Sequence, residues 1–440
     1  MTMITTQTQC RICGNRDLIE ITDLGTHALS GRFPFQGEPT PMCAPLVILK
    51  CNDLVGTEQD QDQTHTKACG LVQLKHNVCP EELYFHNYGY RSGLNQTMTQ
   101  HLGRLVQEVT EKLNRINFRD IILDIGSNDA TLLKAYSYSP LIARYVGIDP
   151  IGQQFAQFYP SHITLIKEFF TADVFERVYP GEKAKVITSI AMFYDLPSPL
   201  KFMQDIKRIL HPDGLWVLEQ SYIGSMLDTL SFDTICHEHL EYYALKQMEW
   251  MARQAGLRII DVTLNECNGG SFRVTMTHEE NDYEVNQDHL DTLHATESQR
   301  HLDTLVPYQV FNQACLTIKT RLTTLLKNYQ QHGKKIYLYG ASTKGNTLLQ
   351  YMGIDHTLIR AAAERNVEKY GRRTPQTDIP IISEEEMRRN KPDVLLVLPW
   401  HFKEEFVRRE WRYLDEGGIM IFPLPRVEVV SSESVIWEHM

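Results

Sequence analysis

An apolar run, Ile121-Ile-Leu-Asp124-Ile125, breaks into Gly126-Ser127-Asn128-Asp129 and then into helix formers. A buried strand that ends in a glycine turn and restarts as a helix is half of a β-α unit, and its turn brings a ligand close to backbone N–H groups. About one unit later Tyr145-Val-Gly-Ile148 ends in Asp149-Pro150. Together with apolar runs at Lys185–Ser189 and Gly214–Glu219, this pattern commits residues 106–300 to an α/β domain around a largely parallel sheet. The predicted strands are Ile121–Ile125, Tyr145–Ile148, Lys185–Ser189 and Gly214–Glu219.

The flanks read differently. Residues 1–105 are short apolar runs broken by Gly, Pro and Cys, with a polar insert at 56–67 that reads as an exposed loop. Residues 299–331 carry apolar positions at helical spacing, interrupted by Pro307, and read as a bridge between domains. Beyond it, Lys335–Tyr339, Ala361–Ala363, Val394–Leu398 and Ile419–Phe422 look like buried strands of a second α/β unit within 301–440. With 440 residues there is room for a core in each of three parts.

A formal charge of −11 argues against a surface that tracks a nucleic-acid backbone. No apolar run is long enough to cross a bilayer, and the start shows no targeting pattern, so a cytoplasmic protein with no membrane partner is expected. Nine cysteines crowd toward the N-terminus, which in a reducing compartment points to metal ligation before disulfides. Cys10-Arg-Ile-Cys13 lets two thiolates of one turn reach one tetrahedral ion. Cys51 and Cys69 are the candidates to complete a structural zinc site, with Cys43 and His65 as substitutes and free or redox-active thiols as the alternatives.

The turn after Asp124 is not G-x-G-x-x-G, which weakens a nicotinamide or flavin reading. Strand–Asp–x–Gly followed by strand–Asp is instead the arrangement of the class I S-adenosylmethionine (SAM) methyltransferases. Asp124 then meets a ligand cation, Asp149 the ribose hydroxyls, and Gly126, Ser127 and Asn128 shape the turn. A third constellation, Cys236-His237-Glu238-His239, concentrates proton-transfer groups where little apolar pattern calls for them. Two imidazoles on one face of an extended segment could bind a metal; a general base held by Glu238 is the preferred reading.

Taken together these residues resemble the sugar C-methyltransferases that make branched deoxysugars. The resemblance also runs through Leu29-Ser-Gly-Arg32-Phe33, Cys69-Gly-Leu-Val-Gln73-Leu74, Tyr88-Gly-Tyr90-Arg-Ser92-Gly93, Gly269-Gly-Ser-Phe-Arg273 and Tyr339-Gly340-Ala-Ser342-Thr-Lys344-Gly345-Asn346. It implies a small N-terminal zinc-binding domain, a central SAM-binding Rossmann-like domain and a C-terminal Rossmann-like domain, with a nucleotide-activated keto-sugar at the junction. Tyr88, Tyr90, Ser92, Arg273, Ser342, Lys344 and Asn346 are then the expected substrate contacts, the last three at the diphosphate. The implied chemistry is deprotonation beside a C4 ketone and attack of the enolate on the SAM methyl, at C3. His239 is the leading base because imidazole titrates near working pH, with Glu238 orienting it and His237 a candidate to face the enolate charge. A monomer or weak homodimer is expected. A zinc-ribbon RNA methyltransferase and a non-catalytic sugar-nucleotide binder are the rival readings.

The chain departs from that pattern in four places. Cys51 and Cys69 flank the polar insert where C-x2-C is usual, Ala130 replaces a common glycine, Cys236 a tyrosine, and Asn268 a histidine.

Overall fold

The computed structural model describes residues 3–52, 68–84, 90–113, 116–136 and 143–434. The insert at 56–67, His65 and Tyr88 lie outside the described residues.

The N-terminal sheet is an antiparallel set of β1 (Leu18–Ala28), β2 (Cys43–Cys51) and β3 (Val72–Leu74). Its core carries Leu46, Ile48, Val72 and Leu74, and β2 is buried continuously from Leu46 to Cys51, covered on both faces. Helix α1 (Gln96–Lys112) follows and crosses position 105; the Asn95 side chain caps it by accepting from Thr97 N and Met98 N. It buries Leu102, Leu105, Val106 and Val109, one face at the spacing of a helix.

The central sheet is built from β4 (Ile121–Ile125), β5 (Arg144–Ile148), β6 (Ile163–Ile166), β7 (Ala184–Ile190) and β8 (Leu210–Ser221). After the short strand β9 (Glu241–Tyr242) come β10 (Leu257–Asn265) and β11 (Ser271–His278). Seven of these form one sheet in the order β10-β11-β8-β7-β4-β5-β6, with β11 antiparallel to both neighbours. That is the class I methyltransferase order, reversing direction at β4, where the ligand crevice of an open α/β sheet lies. β9 leaves this domain and pairs with β3, Glu241 opposite Gln73, as the fourth strand of the N-terminal sheet.

Helix α2 runs over Val306–Gln331 as one piece. Pro307 does not interrupt it; it sits in the first turn, where its missing N–H costs nothing. The C-terminal domain comprises β12 (Ile336–Tyr339), α3 (Thr343–Met352), β13 (Ala362–Glu364), β14 (Ile381–Ser383), β15 (Val394–Val397), β16 (Ile419–Phe422) and β17 (Glu428–Val430). Its sheet runs β14-β13-β12-β15-β16-β17, parallel except for the last strand. The chain is thus a Rossmann-like core with a cysteine-rich N-terminal domain and an additional C-terminal α/β domain. No helix among the described residues is long and apolar enough to cross a membrane.

Candidate active site

The sulfurs of Cys10, Cys13, Cys51 and Cys69 all lie within 4.8 Å of one another. Cys10 Sγ is 3.4 Å from Cys69 Sγ and Cys13 Sγ is 3.6 Å from Cys51 Sγ, too far for disulfides. Four sulfurs about 2.3 Å from one tetrahedral ion stand about 3.8 Å apart, so the cluster fits a divalent metal. Cys43 is exposed at the opposite end of β2 from Cys51 and is not part of it.

A cavity of about 520 Å³ opens at the C-terminal edge of the central sheet. Asp124, Gly126, Ser127, Asn128 and Asp149 all line it, as do Tyr90 and Ser92. Gly126 adopts φ +74° and a side chain there would press on Met192, so the turn is closed by glycine for two reasons. Ala130 also takes a left-handed φ of 61°, which explains why glycine suits that position. Asp149 accepts Asn128 N at 2.8 Å and Ile151 N at 2.9 Å, so it braces the loop and still presents lone pairs to the cavity. Asp124 accepts the Thr188 hydroxyl at 2.6 Å, and burial, with Asp149 nearby, raises its pKa to about 7. Asn128 ties the N-terminal segment to this loop, receiving Ser92 N and donating to Tyr90 O. Ser127 turns toward the Tyr159 hydroxyl, 2.7 Å away.

The stretch 232–239 lies where all three domains meet. Trp400 Nε1 donates to Asp233 Oδ2 at 2.9 Å, Thr347 Oγ1 donates to Ile235 O, and β9 locks the far end onto β3. The chain bends at 236–238 instead of running extended, so the two imidazoles part company. His239 Nδ1 donates to Thr234 O at 2.6 Å, and its ring lies 4.2 Å from that of Tyr194. Because a carbonyl only accepts, this bond fixes the tautomer and leaves Nε2 as a free lone pair. Burial, then the charge of Lys344, lowers the His239 pKa to about 3, so the ring is neutral and does not titrate near working pH.

Two expected roles beside it are corrected. Glu238 does not orient His239, whose Nδ1 is held by Thr234; its carboxyl meets the Gly31 backbone, with one oxygen 2.8 Å from where a Cβ on Gly31 would stand. His237 packs against β2, Nε2 on Ala44 O at 2.9 Å and 1% exposed, with a pKa lowered to about 4 by burial. Nε2 is thereby bonded into the neighbouring domain and braces the junction, while Nδ1 is buried without a hydrogen-bond partner.

Three of the expected substrate contacts also bond within the protein, though Asn346 Oδ1 is buried without a hydrogen-bond partner. Asn346 is 1% exposed and donates to Ser30 O at 2.7 Å, bonding α3 to the N-terminal domain. Ser342 accepts Gly345 N as the cap of α3. Arg273 pairs with Glu219 and Glu108, so its charge is already matched. Lys344 Nζ donates to Asn268 O at 2.8 Å, linking α3 to the cavity wall.

The sequence reading missed Glu219 and His101. Glu219, near the end of β8, lies on the cavity wall, 2% exposed, and is held as a carboxylate by His101, Arg273 and Asn265. His101 is raised to about 9 by Cys267 and Glu219, so it is protonated. The only sequence signal was an acid at the end of a buried strand.

Three family models tile the chain. Residues 10–84 match a putative zinc binding domain, 95–262 a methyltransferase domain, and 266–425 a C-methyltransferase C-terminal domain. The chain is 28% identical over 437 residues to the C-methyltransferase NovU of Streptomyces niveus, covering 97% of this chain and 98% of that one. Among solved structures, a putative methyltransferase bound to the Trm112 activator of Haloferax volcanii aligns with a TM-score of 0.34 at 13% identity, covering 42% of this chain and 94% of that one. The YcgJ protein of Bacillus subtilis gives 0.31 at 14%, covering 41% and 99%. The chain is a SAM-dependent methyltransferase.

Proposed function

We propose that this enzyme methylates a ring carbon, at C3, of a nucleotide-activated 4-keto-deoxysugar, as a step in making a branched sugar for a surface polysaccharide or an antibiotic. The observation that carries this reading is His239: a neutral imidazole with its tautomer fixed and Nε2 unspent, at the junction of all three domains. Methylation of an oxygen or nitrogen can use a lone pair already present. A carbon beside a ketone must first lose a proton, and a neutral imidazole accepts one. The full-length likeness to a C-methyltransferase supports the same chemistry.

Bound at the Asp124–Asp149 loop, SAM supplies an electrophilic methyl on sulfonium. The loop acids position it, and His239 Nε2 takes the proton from the carbon. The four cysteines hold one structural zinc, which leaves no open position for substrate. The same reading makes the protein cytoplasmic and a monomer or weak homodimer. Incubation with SAM and a panel of dTDP-, UDP-, GDP- and CDP-linked 4-keto-6-deoxyhexoses tests it by mass: one of them gains a methyl, and the reading fails if none does.

A further inference from the structure

We propose that Lys344, held at the cavity wall by Asn268, is a catalytic residue that holds the ketone oxygen of the substrate as negative charge develops there. This rests on the keto-sugar reading above and departs from the family resemblance, which puts Lys344 at the diphosphate.

The turn before α3 is poorly furnished for a diphosphate. Ser342 caps its own helix, Asn346 is bonded to Ser30 O, and Ala341 N donates to Glu364 Oε2 at 3.0 Å. The Glu364 carboxylate therefore stands beside the turn, paired with the Lys369 ammonium 3.9 Å away, which itself donates to Ala341 O. Lys344 instead reaches across to the central domain. Its Nζ donates one hydrogen bond, to Asn268 O, and among the described residues no other acceptor is bonded to it. An ammonium has three donors, so two remain. Asn268 lines the cavity, and its left-handed φ of 56° turns the peptide at that wall.

The surroundings of the ammonium explain what the free donors do. Its charge adds to burial in keeping both His239 and His401 neutral, and it acts on buried Asp233, which is itself tied to Trp400. Proton transfer from the substrate carbon turns His239 into an imidazolium and places the carbon's electron pair on the ketone oxygen. The Lys344 charge opposes formation of that imidazolium. Once an enolate oxygen lies between them, both cations are attracted to it. Lys344 thus opposes protonation of the base in the ground state and favours it in the transition state, the differential that accelerates a step. Lys344 donates a hydrogen bond and keeps its proton; the enolate carbon then takes the methyl, the C–S bond breaks, and the oxygen returns to a ketone.

The test is solvent-deuterium wash-in at the substrate carbon, without SAM, for dTDP-, UDP-, GDP- and CDP-linked 4-keto-6-deoxyhexoses, beside calorimetry of the free nucleoside diphosphates. Lys344→Met should slow exchange by about 100-fold or more. Nucleoside-diphosphate affinity should stay unchanged within error, and Lys344→Arg should recover part of the exchange, also serving if the methionine variant does not fold. Normal exchange in these variants, or a loss of nucleotide affinity that accounts for the loss of exchange, overturns the role. Wild-type protein that exchanges none of the sugars removes the substrate reading itself; wild-type exchange retained by Lys344→Met removes only the lysine's part.

Discussion

His239 donates its Nδ1 proton to the main-chain oxygen of Thr234, five residues earlier, at 2.6 Å. A short local loop therefore holds the ring in the tautomer a base requires, without a carboxylate partner. His239→Gln should lower kcat by about 100-fold to 10,000-fold while leaving the affinity for S-adenosylhomocysteine and for nucleoside diphosphates intact. His237→Gln should act on stability instead, since that ring only bridges to Ala44. Steady-state kinetics beside thermal unfolding separates the two; equal kinetic defects would contradict it.

Asp124 carries a pH prediction. Its pKa is raised to about 7 by burial first, with Asp149 adding and the Thr188 hydroxyl opposing. Below that pH the free enzyme holds a proton which the cationic ligand must displace. SAM affinity should therefore rise with pH, by up to about tenfold per unit below the pKa, and level off above it. Calorimetry in buffers of different ionisation enthalpy should show a proton released on binding near pH 6, and Asp124→Asn should abolish both effects.

Asn346 looks like a ligand residue but is built in as a strut. Asn346→Ala removes its bond to Ser30 O and should destabilise the protein by about 1 kcal/mol with little change in nucleotide affinity. A tenfold loss of nucleoside-diphosphate affinity in a normally stable variant would return it to the substrate site.

Why the sequence does not reveal the bond of Asn346 to Ser30 is physical. Its partner is 316 residues away, and loop chemistry tells that a side chain can bind, not which way it faces. The same holds for Glu219, whose partner His101 is 118 residues distant. Where the signal is local the reading succeeds: the strand Ile121–Ile125 agrees residue for residue, because an apolar run ending at Gly126 has one outcome. The four cysteines converge because β1–β3 carry Cys51 and Cys69 back to the Cys10–Cys13 turn. Pro307 was ambiguous, since proline ends one helix and starts the next with the same preference.

Metal removal should reach the active site through β9. Glu241 and Tyr242 pair with β3, and the Arg11 guanidinium, inside the cysteine turn, lies 3.4 Å from Glu241. Chelation, or Cys51→Ser with Cys69→Ser, should lower the melting temperature and abolish methyl transfer while S-adenosylhomocysteine still binds at its own loop. Elemental analysis should give one zinc per chain, and a zinc content unchanged in the double variant would rule out these ligands.

The central claim is that the methyl goes to carbon beside a ketone. The most direct measurement is a carbon–proton correlation spectrum of the product formed from SAM labelled with carbon-13 in its methyl. The account predicts a methyl signal coupled to ring carbon C3 and to the adjacent C4 carbonyl, and its loss with His239→Gln. A labelled methyl on a sugar oxygen, or one formed at the wild-type rate without His239, would contradict it.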